Sequence, residues 1–193
     1  MQSLGHKLEE SHPAALDEPN YVHWFNIVVS AHTVAAIDQI GTLLGRAINA
    51  EDVESWTWRL IERGRQISAG EYLGAIAGLQ VWTRRMAQWW AGDFDLLLTP
   101  TIAQPPPALG TLVMTPEDPD RGWQRLTELI QFTPAYNATG QPAISLPLHW
   151  NDEGLPIGIQ LVAAFGREDL LIQAAAQLEE AHPWKDRKPP VCA

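Results

Sequence analysis

Apolar residues recur at three- and four-residue steps from Tyr21 to about Ala47. Trp24, Ile27, Val28, Ala31, Val34, Ala35 and the run from Ile37 to Leu44 share a helical period. Asn20 stands where an N-cap is wanted, and Gly41 and Gly45 weaken the far end. A second helix is predicted from near Asp52, carrying Trp56, Leu60 and Ile67 and closing around Ser68. Ser68-Ala-Gly-Glu71 has the form of a capping box, in which serine and glutamate satisfy each other's free amides. The helix behind it carries one apolar stripe of Tyr72, Ala75, Ile76, Leu79, Trp82, Met86, Trp89 and Trp90. Gly70, Gly74 and Gly78 repeat every four residues on another face. In a membrane that spacing would mark dimerising helices, but Glu71, Arg84 and Arg85 point to close helix approach in a soluble core.

The pattern then changes. Asp95-Leu-Leu-Leu-Thr99 is an apolar run of strand length stopped by Pro100, and Pro105-Pro-Pro107 enforces an extended loop. Thr115 to Asp120 is a turn cluster, followed by a predicted helix from Arg121 to Gln131 with Trp123, Leu126, Leu129 and Ile130 inward. Two short apolar runs, Ala143 to Pro147 and Ile157 to Val162, flank Asn151-Asp-Glu-Gly154, which predicts a β-hairpin. Asn137-Ala-Thr-Gly-Gln-Pro142 ahead of it is rich in turn formers. A last helix is expected from Glu168 to about Ala181, with Leu170, Leu171, Ala174, Ala175 and Leu178 inward. Glu168 and Asp169 suit its positive end. Leu4 to Glu10 reads as a strand end, and the tail from Pro183, with Lys185, Arg187 and Lys188, as frayed. The expected class is α/β, with strands near 5–9, 94–99, 142–148 and 156–164 and helices packed around them.

Composition narrows the function classes. A chain of 193 residues holds one respectable core, as a domain or part of a larger one. The net charge of -10 argues against nucleic acid or an anionic membrane as partner, because phosphates need a basic face. Cys192 is the one cysteine, so neither an internal disulfide nor a thiolate zinc site can form, which fits a cytoplasmic setting. MQSLGHKLEE lacks the pattern of a signal peptide. The longest apolar-leaning run, Ile27 to Ile37, is broken by Ser30, His32 and Thr33 and reads as too short to cross a bilayer.

FTPAYNATGQPAISLP, then GLPIGIQLV, then a helix opening on Arg167-Glu-Asp-Leu-Leu171, resembles the C-terminal end of the amidase signature family. The resemblance extends back to Asp93-Phe-Asp-Leu-Leu-Leu-Thr-Pro-Thr101 and, in pattern, to Leu4-Gly-His-Lys-Leu-Glu-Glu10. It implies the C-terminal part of the amidase-signature fold: a few mixed strands with an antiparallel hairpin, packed by several helices. It also implies one partial domain over 1–193, with 1–92 mainly helical, 93–182 holding strands, hairpin and last helix, and 183–193 a tail. Bacterial amidases acting on ω-amino-acid amides and cyclic dimers are nearest in feel. Such enzymes hydrolyse carboxamides through an acyl-serine, without metal or organic cofactor.

The family's catalysis needs a serine in a glycine-serine-rich loop, a second serine that relays its proton, and a neutral buried lysine. The six serines here, Ser3, Ser11, Ser30, Ser55, Ser68 and Ser145, are unpaired, and no glycine adjoins any of them. Lys7, Lys185 and Lys188 all lie near the ends. No catalytic residue is therefore expected in this chain. Ser145 sits in a strand without a glycine elbow, and His149 near it reads as an exposed edge histidine rather than its base. His6 with His12, and His23 with His32, lack metal-ligand spacing, and Asp93 and Asp95 read as a solvated strand edge. What the resemblance retains is a pocket wall. It makes Thr101, Phe132, Thr133, Tyr136 and Asn137 candidates for contacts to the acyl side of a substrate. The plainer reading is that Asn137 and Thr139 tie a turn through side-chain-to-backbone hydrogen bonds.

Three functional expectations follow: an amidase portion inactive alone, an amidase-derived interaction or scaffold protein, or one half of a split amidase completed by a separate N-terminal half. A chain lacking half its family's sheet is also expected to form a homo-oligomer over the uncovered edge or face. Some of the nine tryptophans are expected in that interface.

Overall fold

The computed structural model describes residues 1–115 and 117–188, with only the backbone at 119 and 120. Cys192 and the end of the predicted tail lie outside the described residues. The elements are α1 (Asn20–Leu44), α2 (Ser55–Gly64), α3 (Ala69–Trp90), β1 (Leu96–Pro100), α4 (Pro119–Leu129), α5 (Pro134–Thr139), β2 (Ala143–Trp150), β3 (Pro156–Ala163) and α6 (Glu168–Ala181). Short 3-10 turns at Gln2–Leu4 and Ala14–Asp17 precede them. The α/β class is as expected. Contacts group the chain into two units, one of Met1–Leu16, Arg85–Pro106 and Ile130–Ala193, the other of Asp17–Arg84 and Pro107–Leu129.

The helical unit is built on α1, α2 and most of α3. Gly45, at φ 68, ends α1 by returning its amide to the carbonyls of Gly41 and Thr42. The second helix starts at Ser55 rather than near Asp52, because the Asp52 carboxylate is held in the preceding turn. It accepts both arms of the Arg46 guanidinium at 2.7 Å and the Asn49 amide at 2.9 Å. Gly64 closes α2 directly against α1, where an added Cβ would collide with the Ser30 carbonyl oxygen. The glycine stripe of α3 is used at one position. A Cβ on Gly78 would lie 2.6 Å from the Trp24 ring, whereas Gly74 faces open space. Trp82 has no exposed surface and stacks on Tyr21 at 4.3 Å, and Trp56 stacks on Trp123 at 4.1 Å.

At 25 residues, α1 is by length and composition long enough to cross a bilayer, which corrects the expectation drawn from the shorter run Ile27 to Ile37. The discrepancy is one of counting. Ser30, His32 and Thr33 break the run of letters but not the helix, and Thr33 bonds back to the Val29 carbonyl at 2.8 Å.

The capping box forms as predicted. The Ser68 hydroxyl accepts the Glu71 amide at 3.2 Å, and the Glu71 carboxylate accepts the Ser68 amide at 2.8 Å. The Ser68 hydroxyl, which donates to the Glu71 carboxylate at 2.7 Å, and then the Ser68 amide hold that carboxyl below its ordinary value, and the Arg46 fork with the Asn49 amide brings Asp52 down to about 2. Both groups are more acidic folded than unfolded. Their contribution is complete above the ordinary carboxylate range and is lost as pH falls through the folded value. Asp52→Asn should therefore flatten the fall of the denaturation midpoint between pH of about 4 and about 2. An unchanged slope would show that the Arg46–Asp52 pair adds nothing to folding.

The second unit is a three-stranded antiparallel sheet in the order β1-β3-β2, with α6 laid against it. No parallel pair occurs among the described strands, so the expected mixed sheet is corrected to an antiparallel one. The hairpin joins β2 to β3 where predicted. Asn151 accepts the Leu155 amide on its side chain at 2.8 Å, and Gly154 turns the chain at φ 78. Pairs in register share a face. Leu146, Leu161 and Ala163 therefore meet Leu171, Ala174 and Leu178 of α6 in a buried core. Each of these leucines contributes about 1.5–3 kcal/mol by leaving water.

Three further expectations are corrected here. Residues 5–9 form no strand. The opening turn ends at Gly5, φ 90, Leu8 is exposed, and the His6 ring reaches Gln177 of α6 at 2.6 Å instead of pairing along a ladder. The stretch ahead of β2 is not all turn: Pro134 fixes the first residue of a one-and-a-half-turn helix, α5, and Gly140 ends it at φ 72. The described part of the tail is not frayed. Arg187 lies 4.0 Å above the Trp150 ring, and Trp184 packs against the core. All nine tryptophans are buried or half-buried within this one chain, and the exposed large apolar side chains are mainly leucine, isoleucine and valine.

Candidate functional site

The sheet face opposite α6 carries a polar row. Register places Thr99 of β1, Gln160 of β3 and Ser145 of β2 side by side. Gln160 is 4% exposed, and burying an amide costs stability unless its groups are paired. Its Nε2 donates to the Thr99 hydroxyl at 3.1 Å and to the Phe132 carbonyl at 3.0 Å. One side chain thus clamps the segment leading into α5 onto the end of β1.

Thr101 follows β1 and stays in the ladder, its amide donating to the Gly158 carbonyl at 2.9 Å. Its hydroxyl lies 2.6 Å from the Ser145 hydroxyl. The two approach over Gly158, where a Cβ would sit 2.7 Å from both oxygens. Glycine at 158 is what lets the pair form. Ser145 therefore has a hydroxyl partner rather than a base, and nothing in this geometry would raise its nucleophilicity.

The five residues singled out in the sequence fall on two supports. Thr101 stands at the end of β1. Phe132 and Thr133 precede α5, and Tyr136 and Asn137 lie in it. Gln160 joins the two supports through Phe132 and Thr99. Phe132, Thr133 and Thr101 are half-buried, Tyr136 is buried, and Asn137 is exposed. The Thr133 hydroxyl donates to the Ile130 carbonyl at 3.4 Å. Thr139 takes its expected part in the turn, accepting the Gln141 amide at 3.4 Å, while Asn137 stands in solvent. Gln160 was missed because its partners lie 61 and 28 residues away; a lone polar residue inside the apolar run Ile157–Val162 was the available signal. Clefts of about 450 and 550 Å³ exist in the chain, but they are lined by His149, Trp150 and Arg187, and by Trp24, Arg63 and Glu71, not by these residues. No group of three or more metal-ligating side chains occurs among the described residues.

Comparison with known proteins gives the arrangement its context. The chain is 34% identical to the 6-aminohexanoate-cyclic-dimer hydrolase of Paenarthrobacter ureafaciens over 98% of its own length and 39% of that protein. It is 36% identical to the putative amidase AmiC of Mycobacterium tuberculosis over 95% of its length and 38% of that protein. A solved structure of 6-aminohexanoate cyclic dimer hydrolase superposes with a TM-score of 0.90 at 34% identity, covering 98% of this chain and 40% of that one. A bacterial aryl acylamidase, at 21% identity and a TM-score of 0.64, shares the fold. The chain thus spans about 39% of the length of the curated relatives it matches. The amidase family model matches residues 1–172, and the chain belongs to the amidase family.

Proposed function

We propose that this chain supplies the framework and one pocket wall of an amidase whose reacting groups lie on another stretch of polypeptide. The carrying observation is the clamp. Gln160 holds Phe132 against the β1 end that bears Thr101, a built wall with no nucleophile–base pair beside it. In this reading residues 1–193 are one partial amidase domain, and Thr101, Phe132, Thr133, Tyr136 and Asn137 contact the acyl side of a carboxamide. A serine on the remaining polypeptide attacks the carbonyl carbon, the amine leaves with a proton, and water releases the acid from the acyl-serine. A linear or cyclic ω-amino-acid amide is the substrate class, in keeping with the hydrolases similar over 98% of the chain.

The partner is the N-terminal portion of an amidase, and the setting is cytoplasmic, a reading supported by the single cysteine. Without that portion, the chain self-associates through apolar side chains left in water, among them Leu43 at 80% exposure and Leu73 at 66%. The decisive assay compares the purified chain alone with the chain co-expressed with the N-terminal portion of the Paenarthrobacter hydrolase. Simple carboxamides and the 6-aminohexanoate cyclic dimer serve as substrates. Background alone and turnover together is the expected result. Turnover by the chain alone, or fluorophosphonate labelling of Ser145 faster than in the denatured chain, would overturn the proposal.

A further inference from the structure

A cleft of about 450 Å³ opens within the sheet unit, where the end of β2 meets the end of α6. Leu148, His149 and Trp150 of β2 line it, with His182, Pro183 and Arg187, which follow α6. The last three lie past residue 172, where the match to the amidase family model ends.

The chain around the cleft sets its form. Trp184 packs against the core, and the Arg187 amide donates to the Trp184 carbonyl at 2.9 Å, closing a turn. That turn carries the guanidinium to 4.0 Å from the centre of the Trp150 ring. The ring face holds the cation without using its N–H groups. Among the described residues no acceptor bonds the Arg187 guanidinium, so its planar fork of donors stays open to a ligand.

Charge sets this cleft apart. The chain carries -10 overall, yet the described lining holds no aspartate or glutamate, and His149 and His182 add ring N–H groups to it. Leu148, Trp150 and Pro183 supply apolar surface, and the volume lies in the range of sites that take small organic molecules. The C-terminal end of α6 reaches the same cleft at His182. Being the negative end of the helix dipole, it favours a singly over a doubly charged anion.

We propose that this cleft binds a small organic monocarboxylate. The carboxylate accepts two parallel bonds from the Arg187 fork, and the apolar body lies on Leu148, Trp150 and Pro183. This site is independent of the proposed function, because nothing in it requires amide hydrolysis.

Titration of the full chain with sodium hexanoate tests the assignment. Heteronuclear NMR follows the Trp150 indole N–H, identified as the cross-peak missing from Trp150→Phe. Hexanoate should move it saturably, and hexanamide, the neutral counterpart, should bind at least tenfold more weakly. Arg187→Gln, at an exposed side chain, should weaken hexanoate binding at least tenfold while the remaining indole cross-peaks keep their positions. Arg187→Lys keeps the charge but not the fork, and should weaken it at least threefold. His182→Asn, which keeps a donor, should weaken it less than Arg187→Gln does. No saturable shift overturns the proposal. Hexanamide binding as tightly as hexanoate overturns it by reducing the cleft to an apolar surface. Inorganic phosphate binding as tightly as hexanoate overturns it in favour of a general anion site.

Discussion

Trp82→Ala should lower the stability of the chain by about 3–5 kcal/mol, the largest loss expected from any single truncation here. Trp82 has no exposed surface, so the whole ring is a cavity once removed. It lies on α3 and stacks on Tyr21 of α1 at 4.3 Å with the planes 11° apart, adding a specific aromatic contact to the area buried. Chemical denaturation followed by far-ultraviolet circular dichroism would show the midpoint falling. Trp82→Phe, which keeps an aromatic face, should recover part of the loss. A second readout is independent of the midpoint. Burial pushes the Tyr21 phenol above its ordinary value of 10.0, and opening the site should bring its titration back down. A variant with an unshifted midpoint would mean that α1 and α3 are held together elsewhere.

Gln160→Leu is the corresponding experiment in the sheet unit. Leucine fills the volume but donates nothing, leaving the Thr99 hydroxyl and the Phe132 carbonyl without their donor. Each buried polar group stranded this way costs about 1–3 kcal/mol. Gln160→Glu should be no better, because a carboxylate would face the Phe132 carbonyl with like charge. Under the proposed function, loss of the clamp should raise KM more than it lowers kcat, since the Gln160 amide bonds Thr99 and the Phe132 carbonyl. Unchanged stability together with unchanged KM would remove Gln160 from any role in the site.

Much of this was readable along the chain. The Ser68–Glu71 box, the α3 stripe, the hairpin closed by Asn151–Gly154 and the α6 core face each depend on residues within a turn or two of one another. Their outlines survived nearly unchanged. The errors had one distant cause and two local ones. Leu4–Glu10 reads as a strand end but finds no ladder, since His6 is drawn to Gln177 across 171 residues of sequence. Asp52 reads as a helix start, yet Arg46 and Asn49 hold it in the turn before α2. The run around Asn137 is dense in turn formers, but Pro134 and Gly140 bracket it as a short helix. The side chain that ties the segment before α5 to β1 was not legible, because nothing near Gln160 in the chain announces Thr99 or Phe132.

Hydrogen-bond chemistry and periodicity confined to a few residues decided the helices and the hairpin, the resemblance of whole stretches pointed to the family, and residue types alone decided that no paired serines or mid-chain lysine are present. Packing in three dimensions decided the rest. It put β3 between β1 and β2, left the Leu96–Leu98 edge open, and brought Thr101 to Ser145 across 44 residues over a glycine. Contacts of that kind are selected by the closure of the whole sheet, and the free energy that favours them appears only when every strand is in register.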